Sequence, residues 1–439
     1  MKNIVFKNID NAPLIVFRIL FGFLLAAESF GAIITGWVYN VLIKPKFTFS
    51  FIGLEWLQPL PNNLMFAYFA LMGICGLCIM LGYRYKISTM LFTILWAGVY
   101  FMQKTSYNNH YYLLLLIAFI MIFLPANKYA SLDVKYKYTK QQLSMPYWIS
   151  LVFIIQITFV YVYAAIAKIY PDWLNGTFTK NLLSSAPLFN TINSDFFREL
   201  FAKKWFYLFI AYAGIFFDLL IVPLLLFKRT RLLALIASLI FHLFNSITLQ
   251  IGIFPYFALC FALFFYEPDF IRRKFLRKKP EINHQNNILN FNNKKLFLYF
   301  FVPYLIIQLL LPLRHHLIKG NVLWTEEGHR LSWRMMLRER TGTINIYIVD
   351  NNSGKKTRYN HNKNLTQKQA NALATKPDYI WQYCQKIKEE YKNKNISIYI
   401  DCQNSINRKE FKTLINPTTD FVKAKWNYFF HNDWIILHE

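Results

Sequence analysis

Nine apolar runs leave this 439-residue chain little choice of fold. They fall at about 12–35, 64–82, 86–103, 109–126, 147–169, 204–227, 231–250, 253–267 and 296–313. A helix needs about 20 mostly apolar residues to cross a bilayer, and most of these runs approach that length. Inside hydrocarbon every backbone N–H and C=O must be bonded within the chain, which a helix achieves by itself. Charged residues make up 16% of the sequence, against about 25% in an ordinary soluble domain. The expected fold is therefore membrane all-α, a multi-pass helical bundle of about nine spans. The seventh and eighth runs are separated only by Ile251-Gly252, so one broken or re-entrant element is the alternative there.

The formal net charge of +26 gathers in short connections between apolar runs. Lys2 and Lys7, Arg84 and Lys86, Lys128 to Lys140, Lys228 to Arg231, and Arg272 to Lys279 occupy alternate connections. The positive-inside rule puts that face in the cytoplasm. The connections 36–63 and 170–203, with everything after about 314, then lie outside, as in a multi-pass protein of the cell (inner) membrane. The excess charge is thus accounted for by the lipid bilayer, and no nucleic-acid module is visible, so nucleic acid is not an expected partner. The first apolar run is long and has no clear small-residue cleavage site, so it is expected to remain as a span.

Residues 1–313 are expected to form the membrane domain and 314–439 a small extracytoplasmic α+β domain with its own modest core. Thr343 to Asp350 alternates like a strand, Asn351 to Gly354 reads as a turn, residues 366–391 read as helical, and Ile396 to Ile400 as a further strand. The Asn/Lys-rich stretch 280–295 reads as a polar linker. Cys75 and Cys78 lie in an apolar run among small residues, where packing explains them. Cys384 and Cys402 could pair in an oxidising compartment.

A few polar residues sit where packing does not explain them. Lys168 ends the fifth run, and a buried ammonium there costs at least about 2.5–3.5 kcal/mol. His110 opens the fourth run and His242 lies within the seventh, so charge alternation brings all three toward the outer leaflet. Snorkelling explains such a lysine as well, and a structural hydrogen bond, for instance to Asn245, explains His242. Arg18, Glu28 and Asp218 are expected to pair between helices. No HExxH and no GxSxG occurs, and His315-His316 cannot share a helix face, so neither a metal site nor a serine hydrolase is expected.

Several blocks then occur together in a recognisable order: Phe17-Arg18 with Phe21-Gly22; Asn108-Asn109-His110; Tyr163, Ala167-Lys168, Asp172-Trp173 and Gly176; Phe241-His242, Asn245-Ser246 and Ile251 to Tyr256. Leu311-Pro312, Gly320, Trp324-Thr325, Ser332-Trp333 and Met335-Met336 follow. The chain resembles, over about residues 12–435, the vitamin K-dependent gamma-glutamyl carboxylase family in its bacterial form, with a membrane domain of the HTTM type. The resemblance implies a peptidyl-glutamate 4-carboxylase-like lyase that uses reduced vitamin K (phylloquinol or menaquinol), oxygen and carbon dioxide on a Glu-containing peptide. By position it puts the catalytic base on Lys168 and two functional histidines on His110 and His242. Asn109, Asn245 and Tyr163 are the expected quinol-side residues; Trp324, His329 and Trp333 are expected near the peptide, with belt or core packing as their plainer explanation. A base for a hydroquinone must be neutral, and an apolar site favours the neutral form of an amine while shielding strong bases from water.

Two departures matter. Ala164-Ala165 stands where the family has Ala-Gly, and the exterior part ends at Glu439, so propeptide-guided processivity is not part of the expectation. A quinol epoxidase or oxygenase without peptide carboxylation, and a non-enzymatic binding or immunity-type membrane protein, are the alternatives.

Overall fold

The computed structural model describes residues 2–185, 195–249, 252–282, 291–335 and 337–438. All nine apolar runs contain helix: α1 (Ala12–Ile34), α2 (Leu64–Leu81), α3 (Tyr85–Met102), α4 (Asn109–Phe123), α5 (Trp148–Ala167), α6 (Lys204–Leu226), α7 (Arg231–Leu249), α8 (Phe254–Cys260), and α10 (Val302–Leu310), with α9 (Pro268–Phe275) following α8. Six helical stretches among the described residues are long and apolar enough to cross a membrane: α1, α2, α3, α5, α6 and Asn293–Leu317, which contains α10. The expected count of nine is therefore not reached. Asn109–Phe123 and Arg231–Ile247 are shorter apolar helices, and Phe254–Phe264 meets α9 at a bend of 119°, making the pair at most a seventh, broken span. Pro268 supplies the physical reason, because it begins a helix but cannot donate to a preceding turn. Residues 250–251 lie outside the described residues, as do 283–290 of the expected linker.

Small residues set the closest helix pair. A Cβ on Gly22 of α1 would meet Met80 N of α2 at 2.3 Å, and one on Gly76 would meet Ala26 N at 2.5 Å. Gly76 separates Cys75 and Cys78, so the CxxC spacing belongs to this packing; both thiols are free. Gly82, at φ +64°, ends α2 by bonding back to Cys78 O and Ile79 O.

The connections gather at two ends. At the basic end the segment Asn8–Asp10 pairs antiparallel with Ser144–Pro146. There Asp10 Oδ1 accepts from Lys279 Nζ at 2.7 Å, and Asp133 Oδ1 accepts from Arg84 N–H at 2.7 Å. At the other end sits a four-stranded antiparallel sheet, β1 (Arg340–Asp350), β2 (Lys356–Tyr359), β3 (Ile396–Ile406) and β4 (Lys412–Thr413), in the order β2-β1-β3-β4. Ile344, Ile346 and Ile348 point alternately inward, opposite Cys402, Ile400 and Ile398. The expected single helix is two, α11 (Gln367–Thr375) and α12 (Pro377–Glu390), because Pro377 holds Lys376 extended at φ −131°. Cys384 and Cys402 are buried, free thiols.

This sheet region does not complete its core alone. Phe49, from the connection after α1, is fully buried against Tyr379, with ring centroids 4.7 Å apart. Lys104 Nζ, just past α3, lies 2.7 Å from Asp378 Oδ2, which Arg330 Nη1 also reaches at 2.9 Å. Bundle and sheet are thus joined through a seam of buried aromatic and charged groups.

Candidate functional site

The site starts from how α5 ends. Lys168 caps the helix, and its side chain turns back along it, donating from Nζ to Ala164 O at 3.3 Å. Burial leaves the ammonium needing a counter-charge, and Asp218 Oδ2 from α6 supplies it in a direct ion pair. Nζ also lies 5.4 Å from the centre of the Trp173 ring. Trp173 is fixed by its indole N–H, which donates to Ala211 O at 2.9 Å. The block following Lys168 is therefore a brace. Asp172 accepts from Asn407 Nδ2 at 2.8 Å and Lys409 Nζ at 2.6 Å, anchoring the sheet beside the lysine. Gly176, at φ +78°, turns the chain where a Cβ would strike Tyr207 at 2.5 Å.

His110 occupies the first turn of α4. Asn108 caps that helix, its Oδ1 accepting from Tyr111 N–H at 2.7 Å. The His110 ring stacks on Phe254, centroid to centroid 3.8 Å, and the same phenyl ring lies 5.8 Å from His242. Phe254 thus lies between two imidazoles, delivered there by the turn at Gly252 (φ +66°) that starts α8. His242 Nε2 bonds the Tyr161 hydroxyl at 3.0 Å, not Asn245. Nδ1 of His110 and Nδ1 of His242 are buried without a protein partner among the described residues.

These groups border one cavity of about 180 Å³. Lys168, Asp218, His110, His242, Tyr161 and Asn245 face it, and most of the remaining wall is Phe, Leu, Ile and Val, with Gly214 leaving room beside Lys168. The volume is below the ~300–1,000 Å³ of whole-ligand pockets, so it suits the ring of a ligand and not its tail. Apolar walls for an aromatic face, with imidazole and amine nitrogens for ring oxygens, fit a hydroquinone. Among the described residues no group of three metal-ligating side chains occurs.

The other sequence candidates are placed elsewhere. Asn109 donates from Nδ2 to Arg334 O at 3.1 Å and accepts from the Tyr107 hydroxyl at 3.0 Å, tying α4 to the segment after the last span. The Tyr163 hydroxyl donates to Leu309 O on α10. Trp324 and Trp333 are buried in the seam: the Trp324 indole N–H donates to Ile436 O at 2.8 Å, and Trp333 packs on Tyr112 with centroids 4.9 Å apart. His329 lies in the same seam, within the field of Glu326 and Arg338, and burial holds its imidazole well below the usual histidine range. None of these lines the cavity, whereas their neighbour Met335 does.

Two site residues lay beyond the sequence assignments. Tyr161 is seven residues before Lys168, two helical turns, and so on its face of α5; that spacing was the available signal. Asp218, expected only to pair between helices, pairs with the functional candidate itself.

Fold and site together define a polytopic membrane protein with an amine–carboxylate pair beside a largely apolar cavity. Residues 6–270 match the family described as HTTM domain, and the chain belongs to it. Residues 293–439 match that described as Vitamin K-dependent gamma-carboxylase, lumenal domain, and with both matches in this order the chain is a member of the gamma-carboxylase family. No solved structure matches it.

Proposed function

We propose that the protein is a quinol-dependent gamma-glutamyl carboxylase whose chemistry is centred on Lys168. The observation that carries this reading is the ion pair of Lys168 with Asp218 at the wall of an apolar cavity that also holds His110 and His242. Reduced vitamin K, when bound, supplies the reducing power and the strong base needed to remove a γ-proton from glutamate, with oxygen and carbon dioxide as co-substrates. With the proton of the pair passed to Asp218 Oδ2, Lys168 Nζ is a neutral amine and would accept the hydroquinone proton, becoming the ammonium again. Nδ1 of His110 and of His242 are the atoms free to meet ring oxygens, and Tyr161 fixes the His242 ring by its Nε2. Asn245 borders the same space; Asn109 and Tyr163 act by holding α4 and α5 in place. Phe254 and the apolar wall keep water from the reacting centre.

The substrate side is the segment bearing Trp324, His329 and Trp333, whose Met335 forms part of the cavity wall. A Glu-containing peptide would approach from the seam, on the extracytoplasmic face of the cell membrane. The test is to incubate purified protein with reduced vitamin K, labelled bicarbonate and a Glu-rich peptide. Label in the peptide together with quinone epoxide is the expected result. Epoxide without label identifies an oxygenase instead, and neither product, where a family enzyme is active, overturns both.

A further inference from the structure

A second cavity lies at the opposite, basic end of the bundle, with a volume of about 910 Å³. Its charged lining is Arg84, Lys86 and Lys128 against one carboxylate, Asp133. That carboxylate is already committed. Oδ1 accepts from Arg84 N–H at 2.7 Å, and Oδ2 accepts from Tyr85 N–H at 3.1 Å and from Asn127 Nδ2 at 2.7 Å. None of the three cations forms an ion pair among the described residues, so the cleft, with three cations against one carboxylate, carries a net positive charge.

Backbone geometry works to the same end. Arg84 is held at φ +45°, a left-handed conformation unfavourable for a long side chain, and its guanidinium lies 3.9 Å from the Tyr138 ring centre. Lys128 is held below the ordinary lysine range by burial and then by the charge of Lys86.

The cleft also has an apolar exit. Ile87, on its rim, begins a stripe with Met90 and Ile94 on the outer face of α3, at 60%, 48% and 61% exposure. Spaced three and four residues apart, they form one ridge running from the cations into the hydrophobic span. A free phosphate has no use for such a ridge, whereas a lipid has a headgroup for the cations and acyl chains for the ridge.

We propose that this cleft binds the phosphate headgroup of an anionic glycerophospholipid, gripped by Arg84, Lys86 and Lys128, with its chains along Ile87, Met90 and Ile94. The site is independent of the quinol cavity.

Native mass spectrometry of the full chain in detergent tests it, with phosphatidylglycerol, phosphatidylcholine and sn-glycerol 3-phosphate as probes. Phosphatidylglycerol is expected to bind at least tenfold more tightly than phosphatidylcholine, without displacement by glycerol 3-phosphate. The pair Lys86→Gln and Lys128→Gln should weaken it at least fivefold, while Lys86→Arg with Lys128→Arg retains it. The exposed pair Lys135→Gln and Lys140→Gln, outside the cleft, should leave it unchanged. Equal binding of the two lipids overturns the proposal, as does equal loss in the Lys135/Lys140 variant. Displacement by glycerol 3-phosphate overturns the lipid and leaves a site for soluble phosphate. If the glutamine variant does not fold, the lipid preference of the unaltered chain and the arginine variant decide.

Discussion

At the residue scale, Lys168 is the group on which the proposed chemistry turns. Its ammonium reaches Asp218 rather than the membrane surface, so snorkelling does not describe it. Lys168→Ala is expected to lower epoxide formation by about 10²–10⁴-fold, the usual contribution of a positioned proton acceptor. A small exogenous amine should restore part of it, since the cavity then has room beside Gly214. Unchanged turnover would remove Lys168 from the mechanism. Tyr161→Phe removes only the hydroxyl that holds His242 Nε2 at 3.0 Å. The expected result is a roughly five- to tenfold slower turnover with a melting temperature lowered by only a few degrees, in keeping with one hydrogen bond of about 1 kcal/mol. A variant as fast as the parent would show that the His242 orientation is set elsewhere.

At the element scale, the bundle depends on how closely α1 and α2 approach. Gly76→Leu places side-chain atoms against Ala26 backbone, where even a Cβ would lie 2.5 Å from N. Overpacking of this kind costs about 1–3 kcal/mol, and backbone cannot give way as a side chain can. The thermal midpoint in detergent should fall by several degrees, while Gly31→Ala, with nothing within 4 Å of its Cβ, serves as the unchanged control. Equal midpoints for both variants would refute the close-packing account. The same scale explains why span counting from the sequence went too far. Hydropathy marks apolar residues and not helix ends, so it could not register the capped start of α4 at Asn108 or the 119° break before α9.

At the scale of the whole molecule, the seam makes bundle and sheet one stability unit. Asp378 is buried, which by itself raises a carboxyl, but Arg330 and Lys104 overcome this and hold it down to about 2. An unfolded aspartate titrates near 4 (about 3.9). Because the folded value is the lower, this contribution is fully present above about pH 4 and is lost as pH falls through about 2. The melting temperature should therefore drop across that window, and Asp378→Asn should lack this part of the slope while being less stable at neutral pH. Identical acid slopes would show that the pair does not join the two parts. A reporter fused after Glu439 should read extracytoplasmic, opposite the Arg84, Lys128 and Lys279 end; a cytoplasmic signal would invert the proposed access of the peptide.

The membrane class, the helical nature of every apolar run, the segregation of basic connections and the strands at 343–350 and 396–400 were all legible in the sequence. Each depends on local composition or a short period, and those act over a few turns of chain. His110, Lys168 and His242 were also legible as polar residues in apolar surroundings, and the structure brings all three to one cavity. What faces them was not. The pairing of Lys168 with Asp218 spans 50 residues, the Tyr161–His242 bond spans 81, and Phe254 between the imidazoles is placed by a turn and a re-entering helix. For Trp324 and Trp333 the sequence left a place near the peptide and core packing both open, and the structure buries both in the seam that Phe49 and Lys104 from bundle connections help to close. Sequence alone determined which groups are too polar for their surroundings. Only the tertiary structure decided their partners, because burial of a charge fixes the need for a counter-group but not which distant segment supplies it.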